Sequence, residues 1–194
     1  MTRPARLLFV CTANIARSAY AEHRARDLFE RDPSLAWEVA SAGIPGYPGR
    51  PMDPHLAGEL TRRGIRTPAH VSRVLDDAAL EWADLALTFE MRQHLAILEA
   101  WPRRAGKVFG LRQFARAAAL APEAADIGAL LHSVVALAEP DSMTLDVDDP
   151  YGRGRRAAHA CAAEIDGVLR RILPALEAVA GCDASGDSTS DGIS

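Results

Sequence analysis

Leu7-Leu8-Phe9-Val10 is an unbroken apolar run that meets, with no spacer, the small and polar stretch Cys11-Thr12-Ala13-Asn14-Ile15-Ala16-Arg17-Ser18. A strand that is apolar at consecutive positions must be covered on both faces, as a central strand of a parallel sheet is. Beyond the stretch, Ala21, Ala25, Leu28 and Phe29 return at helical spacing, which predicts a helix over 18–31 with Ser18 as its cap. Strand, loop and helix in that order confine the chain to layered α/β architectures.

The rest of the chain repeats the theme. Residues 37–41 read as a second strand, and the Gly- and Pro-rich 44–54 as a surface loop with Tyr47 at its tip. A helix is expected over 54–63, and strands at 85–88 and 107–109 flank a helix over 91–100. This alternation predicts a single three-layer α/β domain, an open four-stranded parallel sheet with helices on both faces. Residues 111–138 are alanine-rich and expected to be helical, divided by Pro122. A last helix follows Gly152, its apolar face running through Ala158, Cys161, Ile165, Val168, Leu169, Ile172 and Leu176. The domain is expected to occupy 1–180, and the Ser, Asp and Gly cluster of 181–194 to be a disordered tail.

Composition narrows the function classes. A net charge of -4 supplies no one-sided basic field for nucleic acid, and the least polar stretch, 127–138, is too short to cross a bilayer. The three cysteines, Cys11, Cys161 and Cys182, form no C-x-x-C pair and no zinc-like spacing, so neither a disulfide framework nor a metal or other cofactor is expected. Lys107 is the only lysine in an alanine-rich chain, the codon bias of a high-GC bacterium. The protein is read as soluble and cytoplasmic.

In open parallel sheets ligands gather beyond the carboxyl ends of the strands, which puts 11–18 first in line for chemistry. A loop of this length closing onto a helix can turn several backbone N–H groups inward, forming an anion nest on the positive end of the helix dipole. The same donors favour a negative sulfur at Cys11 and make it a nucleophile. Arg17 can fold over the loop and hold two phosphate oxygens as charge redistributes, and Ser18 can donate to the sulfur when it leaves. With three cysteines, a Cys six positions before an Arg arises by chance roughly a third of the time; a following Ser and a preceding buried strand reduce that to ~1%. The bland alternative is a small buried hydrophobe at a strand end. Asp149-Pro150 offers either the carboxylic acid that a departing aryloxide needs or an ordinary turn before the last helix. Neighbouring Asp148 is expected to crowd Asp149 and disfavour ionisation of both.

Taken together these motifs resemble the low-molecular-weight protein tyrosine phosphatase family. A Cys-x5-Arg-Ser loop stands near the N-terminus and Asp149-Pro150-Tyr151 near the C-terminus, with further matches at Ser41-Ala42-Gly43, Gly49-Arg50-Pro51-Met52-Asp53-Pro54, Ala69-His70 and Asp84-Leu85-Ala86-Leu87-Thr88-Phe89-Glu90. The resemblance implies that Cys11 forms a phosphocysteine, that Arg17 binds phosphate and transition state, and that Asp149 is general acid and then base. It implies that Thr12, Ala13, Asn14, Ile15, Ala16 and Ser18 cradle the phosphate, that Asn14 holds a left-handed backbone braced by Ser41 and His70, and that Tyr47 and Tyr151 wall a cleft for a phenyl ring. Ile15 stands where relatives like the protein-arginine phosphatases tend to have threonine, which tilts the expectation toward phosphotyrosine. The implied partners are a phosphotyrosine protein and a cognate tyrosine kinase, with the chain a monomer or weak dimer.

The chain departs from the family pattern at several places. Ala13 replaces a common loop glycine, with a strain penalty if its φ is positive. Ala16 replaces a second loop cysteine, so oxidised Cys11 has no loop partner to rescue it. Gly152 stands where some relatives carry a second aromatic, and Arg153, Arg155 and Arg156 follow it, read as steering for anionic substrates or as a solvated charge run. The segment 111–145 is longer than is usual and has no assigned role. The competing readings are an arsenate reductase of the same fold, which needs further relay cysteines, and a non-catalytic phosphotyrosine-binding module.

Overall fold

The computed structural model describes residues 3–32, 35–66 and 69–182. Strands β1 (Ala5–Cys11), β2 (Trp37–Gly43), β3 (Leu85–Thr88) and β4 (Val108–Gly110) form one parallel sheet in the order β2-β1-β3-β4. Side chains of the central strand β1 alternate between two cores. Leu7, Phe9 and Cys11 face one, and Leu8 and Val10 face the other. Both sets are buried, which is why the run carries no polar position.

The first core is closed by α1 (Arg17–Arg31), α2 (Pro54–Arg62), α5 (Leu111–Ala118), α6 (Ile127–Leu137) and α7 (Gly154–Cys182). The second is closed by α3 (Asp77–Trp82) and α4 (Met91–Ala100). All seven positions of the expected α7 stripe are buried, each large aliphatic side chain contributing roughly 1.5–3 kcal/mol. The helix runs to Cys182, and the rest of the expected tail, 183–194, lies outside the described residues. Helix α3 was not foreseen. At six residues it is too short for a periodic stripe, and its only local signal is Asp76, whose carboxylate accepts from Ala79 N at 2.8 Å.

The free edge of β2 is blunted rather than open. Arg26 donates to the Val39 carbonyl and Arg73 to that of Ser41, while Gly43 pairs with the backbone at residues 73–75. The chain runs from β1 to β2 on one side and then to β3 on the other, so the switch point lies at the carboxyl end of β1, where Cys11 stands.

Candidate active site

The loop after β1 is shaped by its braces. Asn14 has φ 57°, the one positive φ at a non-glycine position among the described residues. Ala13 therefore replaces glycine without a left-handed backbone, and the strain considered for it does not arise. Asn14 itself is fully buried. Its Nδ2 donates to Ser41 Oγ at 2.7 Å and to Ser18 Oγ at 3.1 Å, and its Oδ1 accepts from Arg73 N at 2.9 Å. Its carbonyl lies 2.7 Å from His70 Nε2, which must donate there and is fixed as the Nε2–H form. Ser41 donates its own hydrogen to Glu22, so both side-chain polar atoms of Asn14 and the hydroxyl of Ser41 are partnered. Gly43 is glycine for a steric reason: a Cβ there would lie 2.9 Å from backbone atoms of Thr12, Ala13 and Asn14.

Cys11 is 2% exposed and its Sγ lies 3.0 Å from Ser18 Oγ. Because Ser18 already accepts from Asn14, its hydrogen is free for the sulfur, the alternative acceptor being the more distant Ala42 carbonyl at 3.4 Å. Ser18 is thus not a helix cap. Helix α1 starts at Arg17, with Ala16 at the cap position and no side chain closing its first amides, which leaves the positive helix end for an anion. The side chains of Asn14 and Ser18 are engaged behind the loop, while Thr12, Ala13, Ile15 and Ala16 line the cleft above it.

Arg17 is 1% exposed. Its Nη1 donates to the Val147 carbonyl at 2.8 Å and pairs with Glu90, and its Nη2 lies 3.0 Å from Asp149 Oδ2. Its Nε is buried and has no hydrogen-bond partner among the described residues. Burial works against ionisation of Glu90, but the guanidinium groups of Arg92 and Arg17 outweigh it and hold the carboxyl below its ordinary range. The segment carrying Asp149 is strapped in place. Asp146 Oδ1 accepts from Met91 N at 2.7 Å, Val147 N donates to the Phe89 carbonyl at 2.8 Å, and Arg112 holds the Asp146 carbonyl. Asp148, expected to crowd its neighbour, is instead turned to solvent, its side chain 87% exposed and 3.7 Å from Arg153.

Cys11, Arg17 and Asp149 meet in one cleft of about 310 Å³, with Tyr47 and Tyr151 as exposed walls. Nucleophile, guanidinium and carboxyl thus come together from opposite ends of the chain, an arrangement suited to in-line transfer of a phosphoryl group. The family description "Low molecular weight phosphotyrosine protein phosphatase" matches residues 6–129.

The chain belongs to the low molecular weight phosphotyrosine protein phosphatase family. It is 33% identical over 108 residues to a protein-arginine-phosphatase of Bacillus subtilis, covering 56% of this chain and 71% of that protein. It is 30% identical over 180 residues to low molecular weight protein-tyrosine phosphatase A of Mycobacterium tuberculosis, covering 91% of each. The solved structure of the YwlE arginine phosphatase from Geobacillus stearothermophilus superposes with a TM-score of 0.70 at 27% identity, over 90% of this chain and 94% of that one.

Within this phosphatase the sequence left three site residues without a role. Glu90 anchors Arg17, and Gln93 holds both Thr12 and the amides of Phe89 and Glu90. Arg50 lines the cleft from the 44–53 loop. Glu90 and Arg50 fall inside matched motifs, but only tertiary contact reveals what they do. Cys161 lies in the same core as Cys11, where burial pushes its thiol up to about 12.

Proposed function

We propose that this phosphatase hydrolyses phosphotyrosine monoesters in proteins, with Cys11 as nucleophile, Arg17 as phosphate clamp and Asp149 as general acid and base. The observation that carries the reading is Arg17: a buried guanidinium facing the cleft of Cys11, held by Glu90 and Val147, with Nε unpartnered among the described residues and Nη2 on the carboxyl of Asp149. A phosphate bound above Cys11 would take Nε and displace the carboxylate toward the ester oxygen.

In the first step the Cys11 thiolate attacks phosphorus opposite the ester oxygen. The S–P bond forms, the P–O bond breaks, and the phenolic oxygen receives the proton carried by Asp149. Arg17 and the amides at the start of α1 stabilise the charge on the equatorial oxygens. In the second step the Asp149 carboxylate removes a proton from water as its oxygen attacks phosphorus. The thiolate departs toward the hydroxyl of Ser18, and inorganic phosphate remains.

The substrate reading rests on the walls. Tyr47 and Tyr151, 53% and 58% exposed, line the same cleft as the sulfur, and aromatic walls suit a phenyl ring better than the shorter phosphoserine. The likeness to protein-arginine phosphatases favours phosphoarginine as a second reading, but Ile15 gives that wall no hydrogen-bonding atom for a guanidinium. For the arsenate-reductase reading, Cys161 is 4% exposed, a poor relay thiol. Initial rates on matched phosphotyrosine, phosphoserine and phosphoarginine peptides, and on arsenate with a thiol donor, test the proposal. Phosphotyrosine should be fastest, and a faster phosphoarginine or arsenate reaction would overturn it.

A further inference from the structure

The loop that carries Tyr47 and Arg50 is bolted to the phosphate loop by backbone bonds: Ile44 N to the Cys11 carbonyl at 2.9 Å, Gly46 N to that of Thr12 at 3.0 Å, and Asp53 N to that of Ile15 at 2.9 Å. Arg50 is fixed in turn by Ser72, which accepts from Arg50 N at 2.8 Å and donates its own N–H to the Arg50 carbonyl at 2.9 Å. Pro48 and Pro51 stiffen the chain on either side. The main chain of Arg50 therefore does the structural work: among the described residues its guanidinium has neither an acidic partner nor a hydrogen bond, although Arg50 lines the cleft of Cys11.

Three other cations near the opening are partnered. Arg17 is held by Glu90, Asp149 and Val147; Arg92 by Glu90 and Thr12; Arg153 by Asp148 and the Asp149 carbonyl. Among the described residues Arg50 is left as an uncompensated positive charge in the lining of the cleft, in a chain of net charge -4.

We propose that Arg50 receives the carboxylate of an aspartate or glutamate adjoining the phosphotyrosine, so that acidic phosphotyrosine segments are the preferred substrates. This deepens the phosphotyrosine reading and rests on it. Arg17 anchors the phosphate, the tyrosine walls fix the ring, and the neighbouring residue of the substrate is carried past the rim where a fork of N–H donors awaits a carboxylate. Because the pair forms at an exposed rim, its effect is modest and sensitive to salt.

The test compares kcat/KM for two phosphotyrosine peptides that differ only in having Asp and Glu, or Asn and Gln, beside the phosphotyrosine. Wild type should favour the acidic peptide roughly 2- to 5-fold at low salt, with the ratio falling toward one as salt rises. Arg50→Gln should bring the ratio to one, Arg50→Lys should keep most of it, and Arg50→Glu should invert it. A ratio of one in wild type, or the wild-type ratio persisting in Arg50→Gln, would overturn the proposal; a general loosening of the loop would lower both rates and leave the ratio in place. If neither peptide were hydrolysed while a phosphoarginine peptide was, the phosphotyrosine reading itself would fall, and the proposal with it.

Discussion

Asp149 Oδ2 lies 3.0 Å from Arg17 Nη2, the carboxyl at the entry to α7 meeting a guanidinium from the first turn of α1. The Asp149 side chain is 42% exposed whereas Arg17 is 1% exposed, so the carboxyl has open space on its solvent side while the guanidinium is enclosed. General acid catalysis matters only as far as the leaving oxygen needs a proton. Asp149→Asn should therefore slow phenyl phosphate about 10²- to 10³-fold and a dinitrophenyl ester far less. The check is the slope of log kcat/KM, which reports the first step alone, against leaving-group pKa, and it should steepen. An unchanged slope would remove the acid role.

Asn14 combines a left-handed backbone with a side chain that braces Ser18 and Ser41, and two substitutions separate these contributions. Asn14→Ala loses the braces and keeps a φ that costs an L residue roughly 1–2 kcal/mol, while Asn14→Gly loses the braces alone. The glycine variant should be more stable in urea by about 1 kcal/mol, yet both should fall about 10-fold or more in kcat, because Ser18 is no longer oriented toward Cys11. Wild-type kcat in Asn14→Gly would show the amide to be dispensable.

What was legible in the sequence was whatever burial writes as a pattern. The run before Cys11 names β1 because both its faces are covered, and the α7 stripe from Ala158 to Leu176 names the face that closes the core. Cys11, Arg17 and Asp149 were legible as residue types at telling positions. Partnerships made only by the tertiary fold were not. Glu90 under Arg17 and the Val147 carbonyl on the same guanidinium have no local signature, and Asp148 faces solvent because the segment leaves the straps at Asp146 and Val147 with the alternate side outward. Ser18 looked like a cap because it is a serine at a helix start; the nearby sulfur is what uses its hydroxyl.

Acid should weaken the fold through Glu59, whose side chain is 1% exposed where α2 meets α7. Burial opposes its charge, but hydrogen bonds from Arg63, Arg62 and His159 outweigh it, and its value falls below the ordinary 4.5. A carboxylate depressed in the folded state contributes stability that is complete above its unfolded value and is lost as pH drops through the lower folded one. Glu59→Gln should cost about 1.5–3 kcal/mol at neutral pH, and its difference from wild type should shrink as pH falls below about 4.5. Glu90 has the same sign, while burial raises Asp146 and gives it the opposite sign. The difference between the two proteins in urea unfolding, rather than either curve alone, isolates Glu59. A difference that stays constant with pH would refute the assignment.

Oxidation should inactivate this phosphatase without return. Peroxide converts the Cys11 thiolate to a sulfenic acid, which can condense with a neighbouring thiol, releasing water and leaving a reducible disulfide, or meet a second peroxide and become a sulfinic acid that thiols do not reverse. Ala16 puts a methyl group in the cleft wall, so the loop holds no second thiol to condense with Cys11. Cys161 shares the core with Cys11, but burial pushes its thiol up to about 12, so little thiolate is present to attack. Peroxide-treated wild type should recover only a minor part of its activity with dithiothreitol, and the mass of the Cys11 peptide should show added oxygen. Ala16→Cys should recover most of its activity, with the loop peptide isolated as an internal disulfide. Full recovery of wild type would mean that a second thiol does reach Cys11, and the same peptide map would identify it.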